Sequence, residues 1–84
     1  MKLLWSRTAS AEYAYWEHAD RRVFDKINAL IEDIQRTPFT GLGKPEPLKH
    51  DLAGCWSRRI TGVHRLVYFV KGLELRIVKC RFHY

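Results

Sequence analysis

Residues 56–82 read WSRRITGVHRLVYFVKGLELRIVKCRF. Three runs rich in β-branched and aromatic residues stand in this stretch: Trp56 to Ile60, Arg65 to Val70, and Leu75 to Phe82. Gly62 and Gly72 fall in the short gaps between them, where a tight turn needs a permissive backbone. The economical arrangement is a three-stranded antiparallel meander. The first turn decides where two arginines point. If the loop is Thr61-Gly62-Val63, Arg59 faces Arg65 across the hairpin and both side chains leave one face. A two-residue turn at Gly62-Val63 would put them on opposite faces.

N-terminal to the meander, residues 38–47 hold three prolines and two glycines and predict an irregular loop. Two helices precede it. Ser6, Thr8 and Ser10 offer N-caps for a first helix over roughly Thr8 to His18, with Ala9, Tyr13 and Trp16 as its apolar stripe. Asp20 can cap a second helix running to about Arg36, where Val23, Ile27, Leu30, Ile31 and Ile34 recur at helical period. Thr37-Pro38 ends it, because a residue before proline avoids the helical region. The acids of these helices read as solvated faces opposite the apolar stripes, which makes the helices scaffold. Alternation of Leu3 and Trp5 predicts a short strand over Lys2 to Ser6. The expected fold is α+β: two N-terminal helices packed on one face of a roughly four-stranded, mainly antiparallel twisted sheet. The other face is then open, concave and basic.

Eighty-four residues make one domain, 1–84, with a core small enough to need its aromatic residues. Charge divides the chain. Residues 1–43 hold six Lys/Arg and six acids, whereas residues 44–84 hold nine Lys/Arg against Glu46, Asp51 and Glu74. The whole net charge of +6 therefore sits in the second half, as expected of a domain that meets an anion such as nucleic acid. Cys55 and Cys80 lack any Cys-x-x-Cys spacing and read as reduced thiols, with neither a zinc site nor a redox motif. The opening Met-Lys-Leu-Leu-Trp run is too short for a signal core or a membrane span, so a cytoplasmic location with no membrane partner is expected.

Cleavage of RNA by its own 2′-hydroxyl needs a base, cations for the five-coordinate phosphate, and an acid for the leaving 5′ oxygen. A metal mechanism needs clustered carboxylates, and the basic half has three scattered ones, so no metal and no cofactor are expected. Glu46, stiffened by Pro45 and Pro47, is the candidate base. His83 is a candidate acid, with His50 and His64 as rivals between which spacing alone does not choose. Arg58, Arg59 and Arg65 lie at the first turn and can grip phosphate in fork geometry, and Lys44 and Lys49 add point charges. The terminal Arg81-Phe82-His83-Tyr84 adds Arg81 for RNA, with Phe82 and Tyr84 as stacking surfaces for bases. Trp56, Tyr68 and Phe69 read as core.

The runs KPEPLKH, WSRRIT, HRLVY and the terminal CR-aromatic-HY resemble the YoeB (Txe) toxins of bacterial toxin–antitoxin systems, within the RelE-like group of small α+β ribonucleases. MKLLWS at the start, YxYW in the first helix and RTPF after the second extend the likeness over the whole chain. The resemblance implies a metal-independent endoribonuclease that enters the 70S ribosome, meets its rRNA, and cuts the mRNA codon in the A site. It implies that Glu46 is the general base, His83 the general acid and Arg65 the stabiliser of the phosphate transition state. Lys49, Arg59 and Tyr84 would then bind and position RNA. It also implies a cognate YefM-like antitoxin and a homodimer. Cys55 stands where a large aromatic is expected, and Phe82 where tyrosine is common.

Two other readings start from the same residues. One is an RNA- or ribosome-binding module without chemistry, blocking translation by occupancy. The other follows ParE-like members of the fold group, which poison gyrase and generally lack this acid, cation and histidine set.

Overall fold

The computed structural model describes residues 1–83, and the expected contribution of Tyr84 lies outside them. In chain order the elements are β1 (Lys2–Trp5), α1 (Arg7–Ala19), α2 (Arg21–Arg36), β2 (Glu46–Pro47), a 3₁₀ turn (His50–Leu52), β3 (Trp56–Arg59), β4 (Arg65–Lys71) and β5 (Glu74–Lys79). The helices begin where capping side chains begin them. Ser6 Oγ accepts from the Ala9 N–H at 2.9 Å, and Asp20 accepts from the Arg22 and Val23 N–H groups. Helix α2 stops at Arg36, one residue before Thr37-Pro38.

The sheet order is β1-β5-β4-β3-β2, with β1 parallel to β5 and every other pairing antiparallel. The α+β class holds, with five strands where four were expected. The added strand is β2, from within the proline-rich loop. Glu46 pairs with Ser57 and Pro47 with Trp56. Proline is tolerated here because β2 is an edge and its missing N–H costs no ladder bond. Gly43 steers the chain to this edge. Its φ is +80°, its carbonyl accepts from the Arg59 N–H at 2.7 Å, and a Cβ there would meet Leu30 Cδ2 at 2.9 Å.

The helices cover one face of the sheet. Val23, Phe24, Ile27, Leu30, Ile31 and Ile34 are buried on α2, and Ala9 and Trp16 on α1. Each large apolar side chain contributes about 1.5–3 kcal/mol by leaving water, so packing rather than propensity holds the helices. Leu66, Tyr68, Leu75 and Ile77 face them from the sheet. Among the described residues no helix is long and apolar enough to cross a membrane.

Two expectations are corrected in the core. Asp33 is not on a solvated helix face, and Arg58 is not an RNA contact. Arg58 is fully buried and donates from Nη1 to Asp33 Oδ2 at 2.6 Å. It also donates to the carbonyls of Thr37, Thr40 and Leu42 and to the Tyr68 hydroxyl. The Tyr68 hydroxyl in turn donates a hydrogen bond to the Pro38 carbonyl at 2.7 Å. The guanidinium thus satisfies the inward carbonyls of a loop that has no regular structure, which is why a charge is worth burying there. The Leu42 N–H and the Arg58 guanidinium hold the Asp33 carboxyl at about 2.

Candidate active site

The face away from the helices is organised by register. Residues paired across a ladder project to the same side, and alternate residues along a strand share that side. Glu46 pairs with Ser57, Ser57 with Val67, and Val67 with Lys79. These four make one row across four strands, about 14 Å long at about 4.8 Å per strand. Two residues along, about 7 Å away, Arg59 pairs directly with Arg65. This is the register that the gripping of a phosphate demands. Ser57 and Val67, small and buried, form a floor between the Glu46 edge, the Lys79 edge and the arginine pair.

Lys79 reaches this face only through an irregularity. The pairing shifts between Val67, which faces Lys79, and Tyr68, which faces Ile77. Val78 is the extra residue of this bulge, and without it Lys79 would point to the core. Ser6 fixes the bulge by donating from Oγ to the Val78 carbonyl at 2.7 Å.

The terminal segment follows. Cys80 is buried, its N–H given to Glu12 Oε1 at 2.8 Å and its carbonyl accepting from Trp16 Nε1 at 2.9 Å. Burial pushes the Cys80 thiol up to about 12, so it is inert. Phe82 sits at a φ of 62°, its N–H donating to His64 Nδ1 at 2.8 Å and its carbonyl accepting from the Arg65 N–H at 3.1 Å. Lys79 Nζ then donates to the His83 carbonyl at 2.5 Å. The chain therefore turns at Phe82 and brings His83 to the side of the sheet that carries the arginine pair.

Among the described residues, the three non-glycine residues with left-handed backbone are Lys44, His50 and Phe82. Each lies within two residues of an expected site residue: Glu46, Lys49 and His83. Such strain, of order 1–3 kcal/mol each, persists where the surroundings enforce it and concentrates at functional sites.

Glu46, Arg59, Arg65 and the His83 backbone are thus brought to one face, with exposed Lys44 and Lys49 on the chain that flanks Glu46. The Arg65 Nη1 is committed to the Thr61 and His64 carbonyls at 2.8 and 3.1 Å, which anchors one end of its fork. Arg81 departs from expectation as a free RNA cation. It lies 3.8 Å over the Tyr15 ring and 4.7 Å from that of Phe82, stacked on α1. Phe82 itself is exposed, as a stacking surface must be. Of the rivals for the acid, His50 is exposed on the 3₁₀ turn. His64 packs on Trp16 at 4.7 Å and uses Nδ1 as an acceptor. Burial, and then the Arg81 and His83 charges, push His64 below its ordinary value. Lys79 was missed by sequence reasoning, and His64 was read there only as a rival for the acid. The bulge that turns Lys79 outward leaves no mark in the run RIVKC, and only folding brings His64 to Phe82.

Residues 5–84 match the family described as the YoeB-like toxin of bacterial type II toxin–antitoxin systems. The toxin YoeB of Escherichia coli K12 is 58% identical over 84 residues, all of both chains. A YoeB/ParE toxin from Agrobacterium tumefaciens superposes with a TM-score of 0.97 at 55% identity, covering 100% of each chain. The YoeB of Staphylococcus aureus has been solved as a dimer and as a heterotetramer with the antitoxin YefM. These give TM-scores of 0.94 and 0.92 at 40% identity, covering 100% of this chain and 98% of theirs.

Proposed function

The chain belongs to the YoeB-like toxin family of type II toxin–antitoxin systems, and from that premise we propose that it is an mRNA endoribonuclease acting in the ribosomal A site. Glu46 takes the proton of the 2′-hydroxyl, and the 2′ oxygen attacks the adjacent phosphorus. Arg65, with Arg59 opposite it, neutralises the charge gathering on the phosphate oxygens. The 5′ oxygen leaves with a proton from His83, and a 2′,3′-cyclic phosphate remains. Protein side chains supply base, acid and cations, so the reaction needs no metal or cofactor. Lys44, Lys49 and Tyr84 hold the RNA strand, and the 70S ribosome delivers it in the cytoplasm. The observation that carries this reading is the register, which sets the Arg59–Arg65 pair beside the Glu46 row on the open face.

A YefM-like antitoxin is the proposed inhibitor and a homodimer the proposed free assembly, in line with the Staphylococcus aureus structures. The test is a toeprint of a defined mRNA in a purified translation reaction, with wild type, Glu46→Ala and His83→Ala. The reading expects A-site cleavage by wild type, and ribosome binding without cleavage by both variants. Arrest with intact mRNA in all three would replace it with the blocking module.

A further inference from the structure

An acid that donates one proton to one oxygen must be held in place, and His83 lies in a short terminal segment that would otherwise fray. Two side chains hold the turn that presents it. His64 approaches from the start of β4 and takes the Phe82 N–H on Nδ1 at 2.8 Å. Lys79 approaches from the end of β5 and gives Nζ to the His83 carbonyl at 2.5 Å. Between these bonds Phe82 adopts a left-handed φ of 62°, unfavourable for an aromatic residue without such support. The His64 ring is itself fixed between Trp16 at 4.7 Å and Phe82 at 5.4 Å. Neither side chain is spent on another hydrogen bond among the described residues.

We propose that His64 and Lys79 form a clasp that positions His83 for proton donation, His64 through the Phe82 amide and Lys79 through the His83 carbonyl. They are positioning residues, and the inference rests on the reading of His83 as the acid. His64 is thereby removed from the contest for that role. A histidine whose Nδ1 accepts a backbone N–H and whose ring is packed edge-on to Trp16 is a strut.

The experiment uses ribosome-bound mRNA with either an ordinary 5′ oxygen or a bridging 5′ sulfur at the scissile phosphate. Sulfur leaves as a thiolate without a proton, so the acid and everything that serves it become dispensable on that substrate, whereas the base does not. On the oxygen substrate, His64→Leu and Lys79→Met are expected to slow single-turnover cleavage by about tenfold or more, with KM unchanged. His64→Asn, which keeps an acceptor near Nδ1, and Lys79→Arg, which keeps a long donor, are expected to stay within about threefold of wild type. On the sulfur substrate the deficits of His64→Leu, Lys79→Met and His83→Ala should vanish while that of Glu46→Ala persists. The clasp is overturned if His64→Leu and Lys79→Met cleave the oxygen substrate at the wild-type rate. It is also overturned if their deficits survive on sulfur, or if Lys79→Met raises KM and lowers the salt dependence instead, as a phosphate contact would. If His64→Leu does not fold, the two Lys79 variants decide alone, since that side chain lies at the surface. Failure of the underlying reading is seen separately, as equal cleavage of the oxygen substrate by wild type and His83→Ala.

Discussion

Arg59 and Arg65 are direct partners across the β3–β4 ladder, two cations on one face with no ion pair to either among the described residues. Like charges placed opposite each other cost a folded sheet about 0.2–1 kcal/mol, so the pair is unfavourable until an anion bridges it. Arg59→Gln is therefore expected to leave the free protein as stable or up to about 1 kcal/mol more stable, while cleavage of ribosome-bound mRNA falls at least tenfold. Urea unfolding and a single-turnover assay on the same preparation check both halves. A loss of stability together with retained cleavage would contradict the site.

The neighbouring arginine behaves oppositely. Removing Arg58 strands Asp33 and the Thr37, Thr40 and Leu42 carbonyls in the interior. Arg58→Met is expected to cost about 3–5 kcal/mol, a large share of the stability of a domain this size. Because Arg58 is fully buried and out of reach of RNA, cleavage should fall only in proportion to unfolded protein, with no change in the salt dependence of ribosome binding. Arg59→Gln, in contrast, should lower that salt slope by about 0.7–0.9.

Asp33 makes the acid side of stability predictable. Its carboxyl titrates at about 2 in the folded chain against 3.8 ordinarily, chiefly through the Leu42 N–H and then Arg58. The unfolded chain takes up the proton first as pH falls. The stabilisation from ionised Asp33 is therefore complete above about 3.8, declines as pH drops through 3.8 toward 2, and is gone below. Urea midpoints from pH 5 to 2 should show this fall in wild type and a flatter profile in Asp33→Asn.

Much of this was legible in the chain. Helical periodicity marked both helices, since α2 buries one continuous apolar stripe, and Thr37-Pro38 marked its end. The meander was legible from its three runs and two glycines, and the Arg59–Arg65 register followed from a stated condition on the first loop. What stayed hidden depends on partners distant in sequence. Arg58 and Arg59 are adjacent and chemically identical, and only the pleat sends one to Asp33 and the other to solvent. Asp33 lies among charged helix residues and shows its burial only when the loop carbonyls and Arg58 close on it. A two-residue strand such as Glu46–Pro47 carries too little pattern to stand out from a loop. Lys79 depends on a bulge, and a bulge inverts the alternation by which strand faces are read.

His64 offers the last prediction, near neutral pH. It faces Glu12 on α1, which favours its charged form, and Arg81 and His83 in the terminal segment, which disfavour it. Burial is the largest influence, and the balance lowers its affinity for protons below the ordinary 6.5. The Phe82 N–H pointing at Nδ1 agrees with that direction, because a protonated ring would set donor against donor at 2.8 Å. The unfolded chain therefore protonates His64 before the folded one does. Stability from this residue is complete above about 6.5 and declines as pH falls below it, until the lowered folded value is passed. Between pH 7.5 and 5.5 the urea midpoint of wild type should fall more than that of His64→Asn, which keeps the acceptor but does not titrate. The same interval should weaken the hold on Phe82. Hydrogen exchange at that amide is then expected to speed up relative to buried β4 amides as pH is lowered, once each is corrected for its intrinsic rate. Equal pH profiles for wild type and His64→Asn, with no relative change at Phe82, would show that the ring does not govern the turn that carries His83.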